Sequence, residues 1–101
     1  TTTFRQGTMT GRDEGASYTF NGKLCLFGGR GTLPIDCFDP STRFWTSSET
    51  KTVDVHHIQV AIWRDEVWAV TGFTGSWPGP WNAQHPEQRE HQLDKVIVYN
   101  P

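Results

Sequence analysis

Long apolar runs are missing from this 101-residue chain, so no segment is built to cross a membrane as a helix. An excess of one charge is missing too. Nine Lys and Arg stand against eleven Asp and Glu, a net charge of −2, which leaves no electrostatic footprint for nucleic acid or an anionic membrane surface. Two cysteines are too few for a disulfide framework or a cysteine-rich zinc site. Stretches rich in Ala, Leu and Lys, the material of long helices, are also scarce. No basic-then-apolar leader is visible, and the opening on Thr1 leaves the compartment open. Hydrophobic residues make up 35%, low for a core that closes on itself.

What the chain has instead is aromatic residues, threonine and glycine, a composition that favours β-structure: five Trp and six Phe in so short a sequence. The pattern predicts strands nearly throughout. GASYTF runs into Asn21-Gly22, the strongest short hairpin dipeptide, and KLCLFGG leaves it, ended by Gly28-Gly29. PIDCFDP reads as a third strand stopped at Asp39-Pro40, and FWTSS as a short fourth. Residues 46–53 are polar enough for a linker. HHIQVAIW, a turn at Arg64-Asp65 and EVWAVTGF resume the series. The segment TGSWPGPWNAQHPEQREHQ is too rich in Pro and Gly at its start for either element, and its part from His85 to Leu93 has room for one helical turn. DKVIVYNP is the last strand. Its alternation of Val96 and Val98 with Ile97 and Tyr99 suits a sheet covered on both faces.

Cys25 and Cys37 flank the turn-like GGRGTLP. If their strands pair, the two thiols come near each other, and a disulfide then depends on register and facing. The plainer reading is two small apolar residues on strands.

The chain also repeats itself. KLCLFGG at 23–29 aligns with EVWAVTG at 66–72, Asn21-Gly22 with Arg64-Asp65, IDCFDP at 35–40 with VIVYNP at 96–101, and STRF at 41–44 with TTTF at 1–4. One insertion, residues 73–92 in the second copy, reconciles the spacings. These residues resemble the kelch repeat: a strand, a turn, a strand ending in Gly-Gly, an aromatic-Asp-Pro, then a Trp. The first copy carries Gly28-Gly29, Phe38-Asp39-Pro40 and Trp45; the second carries Thr71-Gly72 and Tyr99-Asn100-Pro101. The resemblance implies an all-β fold of two four-stranded antiparallel blades of a kelch-type propeller, a family of many binding proteins and some carbohydrate-oxidising enzymes.

On that reading residues 11–48 form one blade and 49–101 a second, interrupted by the insertion, while 1–10 form an outer strand donated to a neighbouring blade. A blade cannot bury both large faces alone. The expectation is therefore a six-bladed propeller closed by oligomerisation, with the chain itself as partner in a strand-exchanged homotrimer. The competing reading is a fragment of a longer kelch protein.

Strand direction places the loops between strands two and three, and four and one, on one face. That face carries the candidate binding residues Arg12, Glu14, Arg30 and His57, with Trp77 and Trp81 held stiff in SWPGPW. Indole faces beside charged donors and acceptors suit sugar rings, so carbohydrate or protein is the expected partner; the plainer role of either Trp is to clamp the loop. His56-His57 invites a metal reading, but adjacent strand residues point to opposite faces and cannot both hold one ion without distortion, so no metal and no cofactor is expected. Arg12-Asp13-Glu14 reads equally as a solvated or inter-blade charge cluster. Copper oxidases on kelch-like propellers use Tyr and His. Here Tyr18 and Tyr99 both fall on strands, no catalytic constellation stands out, and the expected function is a lectin-like binding module or, alternatively, an interaction or assembly protein.

Overall fold

A computed structural model of the chain describes residues 9–51, 54–75 and 91–101. Within them every regular element is a strand: β1 (Ala16–Phe20), β2 (Lys23–Phe27), β3 (Pro34–Asp39), β4 (Phe44–Lys51), β5 (Val55–Trp63), β6 (Glu66–Thr74), β7 (His91–Gln92) and β8 (Ile97–Tyr99). They form two antiparallel sheets. The first is the meander β1-β2-β3-β4. In the second, β5 pairs along the whole of β6, so β7 and β8 lie end to end on the other edge of β6. The amide of Leu93 donates to the Gly72 carbonyl at 2.8 Å, carrying the pairing beyond β7.

Local chemistry accounts for the turns. Asn21 (φ 50°) and Gly22 (φ 75°) both take the left-handed conformation of a two-residue hairpin. Arg64 and Asp65 do the same without a glycine, at φ 50° and 61°. After β3, the Asp39 carboxylate accepts from the Ser41 amide (2.9 Å) and hydroxyl (2.7 Å), and its carbonyl accepts from the Arg43 amide at 2.6 Å. This closed Asx turn reverses the chain into β4.

Three expectations shift. β4 continues to Lys51, so most of the polar stretch read as a linker is strand, its Ser and Thr fitting a sheet margin. The stretch read as one helical turn carries strand β7 at its His91–Gln92 end; its earlier part lies outside the described residues. The last strand is shorter than DKVIVYNP, confined to Ile97–Tyr99. Of the segment expected as a donated outer strand, only Met9 and Thr10 are described, and neither is in a strand.

The sheets stack face to face over Cys25, Phe27, Ile35, Val55, Ile58, Val67 and Ala69, with Tyr18, Val60, Ile97 and Tyr99 packed around them. Phe27 and Tyr99 meet across the stack with ring centroids 6.4 Å apart. A seam of backbone hydrogen bonds joins the sheets at one end. The Gly29 amide donates to the Val55 carbonyl (2.8 Å), and the His57 amide to the Glu14 carbonyl (2.7 Å). The Gly-Gly that ends β2 permits this approach. A Cβ on Gly28 would stand 2.7 Å from Ile58 Cδ1 and 2.9 Å from the Val55 carbonyl oxygen.

Cys25 and Cys37 are direct cross-strand partners on the inward face, and they form a disulfide. Register and facing, which the sequence left undecided, both favour it. The bridge closes a short loop, so the expected cost of replacing both cysteines with Ala, or of reducing them, is about 3 kcal/mol of unfolding free energy. Urea unfolding curves with and without reductant measure it; coincident midpoints would show that the bridge contributes nothing.

Candidate functional site

Glu14, Arg30, His56 and His57 come together at the seam. Glu14 leads into β1, Arg30 lies in the β2–β3 loop, and the histidines open β5. The expectation that the two histidines face opposite ways is corrected here. Their rings meet edge to face with centroids 4.9 Å apart, and Nδ1 stands 2.7 Å from Nδ1.

A β-bulge is the cause. Between the pairs His56–Phe73 and Gln59–Thr71, two residues of β5 oppose the single residue Gly72. His57 takes φ 52°, a left-handed conformation uncommon for a residue with a side chain. Its ring therefore swings to the side occupied by His56. Gly72 makes room: at φ 142°, a Cβ there would lie 2.5 Å from Ile58 Cγ2 and 2.9 Å from the His56 carbonyl oxygen. Past Gln59, one extra residue on β6 restores the register.

Glu14, at φ 62°, is the hub. Its Oε2 accepts from Arg30 Nε at 2.8 Å and lies 3.1 Å from His57 Nδ1 and 3.6 Å from His56 Nδ1. Backbone strain at two adjoining polar residues is typical of sites where geometry serves a purpose. His56 is fully buried and stacks on Phe73, ring planes 15° apart. Its Nε2 lies 2.8 Å from the Gly75 carbonyl oxygen. A carbonyl only accepts, so Nε2 carries a hydrogen, and Nδ1 faces His57 and Glu14. The His57 side chain is 45% exposed, and those of Arg30 and Glu14 are about one third exposed. The cluster thus has a packed wall and a wet mouth.

Of the sequence candidates, Glu14, Arg30 and His57 are gathered in one place. His56, set aside on strand alternation, joins them; the signal for it was the Gly72 opposite. Trp77 and Trp81 lie outside the described residues. Arg12 stands apart with its side chain buried. Its guanidinium donates to the Gly28 and Pro34 carbonyls, both at 2.8 Å, and pairs with the buried Asp36. It pins the segment before β1 across the first sheet, so it sets where Glu14 sits.

A separate cavity of about 350 Å³ opens between the sheets near the Asn21-Gly22 turn, lined by Tyr18, Phe20, Lys23, Ile35 and Tyr99 among others. Burial and then the neighbouring Tyr99 push the Tyr18 hydroxyl up to about 12, so it stays protonated at neutral pH. With one charged side chain among those lining residues, Lys23, this cavity has fewer groups for chemistry than the cluster at the seam.

A scan against protein-family models finds no match to the chain, and a search of the curated proteins finds none either.

Asp36 carries a pH signature. Burial pushes its carboxyl pKa up, but Ser47 across the strand pair, the Thr10 amide and the Arg12 guanidinium together outweigh burial and hold it below the ordinary carboxylate value. A lowered folded-state pKa stabilises above the unfolded value, and that stability is lost as pH falls through the folded one. Asp36→Asn should cost about 3–5 kcal/mol at neutral pH, because it leaves the Arg12 charge buried without its partner. It should also flatten the acid side of the stability curve. Unfolding free energies from pH 7 down to 2 for both forms measure this; parallel acid limbs would rule Asp36 out as the source.

Proposed function

We infer that the chain is a two-blade sector of a kelch-type β-propeller that completes its ring with further copies of itself and acts as a binding module. One observation carries the reading: the outward face of the second sheet is mostly apolar. Strand alternation and register put Ala61 and Trp63 of β5, Trp68 and Val70 of β6 and Val96 and Val98 beside β6 on that face. Trp63, Val70, Val96 and Val98 are 53, 52, 54 and 43% exposed. A contiguous patch of this kind on a sheet marks an interaction surface. The first sheet offers a matching outward face, where Leu24, Phe38 and Trp45 stand in one cross-strand row and Leu24 is half exposed.

The two sheets of one chain already stack through their inward faces. Outward face against outward face repeats that stacking between copies, and since the two faces differ, the contact is head-to-tail and generates a ring when its rotation closes. Six blades from three chains is the closure favoured here, within the usual range for propellers. Light scattering or sedimentation equilibrium should give three times the 11.5 kDa chain mass. Val70→Lys with Val98→Lys should return a folded monomer. A wild-type monomer at working concentration would overturn self-assembly and leave the face to blades on the same polypeptide.

Carbohydrate is the ligand class best matched to the mouth at the seam. The half-open Arg30–Glu14 pair offers a planar donor fork beside a carboxylate, with the His57 ring next to it, a set that suits vicinal hydroxyls. Repetition around a ring would raise avidity from weak single sites. On a glycan array the wild-type should bind, and Arg30→Ala should lose most of the signal while the assembly mass stays unchanged. No binding to any glycan, or binding indifferent to Arg30, would sink the carbohydrate assignment.

A further inference from the structure

We propose that Glu14, His56 and His57 form a site for a divalent transition metal of the zinc class, a binding capacity separate from assembly that shares Glu14 and His57 with the carbohydrate mouth. The donor atoms already stand close to the right separations. A tetrahedral ion with bonds of about 2.0–2.1 Å needs donors about 3.3 Å apart. The three distances here, 2.7 Å between the Nδ1 atoms and 3.1 and 3.6 Å from them to Glu14 Oε2, bracket that value. All three ligand atoms fall within 4.8 Å of one another.

The outer shell is also built. The His56 Nε2–H points at the Gly75 carbonyl, the type of hydrogen bond that fixes the tautomer and aim of a metal-ligating imidazole. Phe73 stacks flat against the His56 ring and meets the His57 ring edge to face at 5.7 Å, holding both in place. A metal ion set between the two Nδ1 atoms would engage both lone pairs at once. Two imidazoles and a carboxylate suit zinc and its neighbours over magnesium or calcium, which prefer all-oxygen sets. The exposed side of His57 leaves the fourth position to water, as in open three-ligand zinc sites.

Arg30 opposes the ion, because its guanidinium competes for the same carboxylate oxygen. That gives the proposal a signature no adventitious surface site shares: removing a cationic neighbour tightens binding. Titration calorimetry of the full chain with Zn²⁺ at neutral pH should show one saturable site per chain. Co²⁺ should give the intense visible bands of a four-coordinate complex, and Mg²⁺ should not displace it. His57→Ala and Glu14→Gln should each weaken Zn²⁺ binding roughly tenfold or more, and Arg30→Gln should strengthen it. His56 is buried, so its replacement risks the fold; the test rests on His57 and Glu14, whose side chains reach solvent, with circular dichroism confirming that each variant folds. Absence of saturable Zn²⁺ binding would overturn the proposal. So would binding that survives both substitutions but is lost on replacing His85 or His91.

Discussion

The rest of the structure depends on how closely two backbones approach at the seam. Gly28 and Gly29 come within hydrogen-bonding reach of Val55, and the Glu14 carbonyl takes the His57 amide. A side chain at Gly28 would force the sheets apart by colliding with both Ile58 and the Val55 carbonyl. Without that contact the inward faces would not meet over Phe27, Val55 and Val67, and Glu14 would not stand over the histidines. The same two hydrogen bonds therefore serve packing and chemistry at once. They satisfy backbone groups at the ends of elements, where pairing inside either sheet has run out.

Much of this was legible in the sequence, and the limit of legibility has a physical form. The hairpin at Asn21-Gly22, the stop at Asp39-Pro40 and the order of strands follow from local rules of dihedral preference and side chain-to-backbone hydrogen bonding. Those rules act within a few residues, so a reader of the chain can apply them. The bulge at His57 is different. It arises because Gly72, on another strand, lets two residues sit opposite one. Strand alternation, applied to β5 alone, puts His56 and His57 on opposite faces and dissolves the cluster before it is seen. The disulfide falls between these cases. The two cysteines were visible as neighbours across a turn, but whether they faced each other was a matter of register, which depends on the length and shape of the β2–β3 loop.

Among the described residues, the buried polar residues Asp36 and His56 lie where geometry has to be specified. Hydrophobic stacking is non-directional, so Phe27, Ile35 and Val67 bring the sheets together without fixing where the polar segments run. Arg12 makes directional contacts. It reaches two carbonyls and a carboxylate from three parts of the first sheet, so its segment has one place to lie. Buried ion pairs add little net stability because desolvation offsets the attraction, yet breaking one is costly. An interaction with that profile holds a register better than it deepens a well. Here it holds the segment that ends in Glu14.

His56 extends the argument to the second sheet. A buried imidazole with each nitrogen directed at a named partner fixes the start of β5 as Arg12 fixes the approach to β1. The two pins belong to different sheets, and Glu14 links them: it follows Arg12 closely in the chain, and its carboxylate reaches the His56 and His57 rings. Its position is set from the first sheet, and its carboxylate meets Arg30 of the β2–β3 loop on one side and the histidines of the second sheet on the other. Any displacement of one sheet against the other must change the Glu14–His57 distance, whereas the apolar core between them would register it weakly. The cluster is thus sensitive to how the sheets stack.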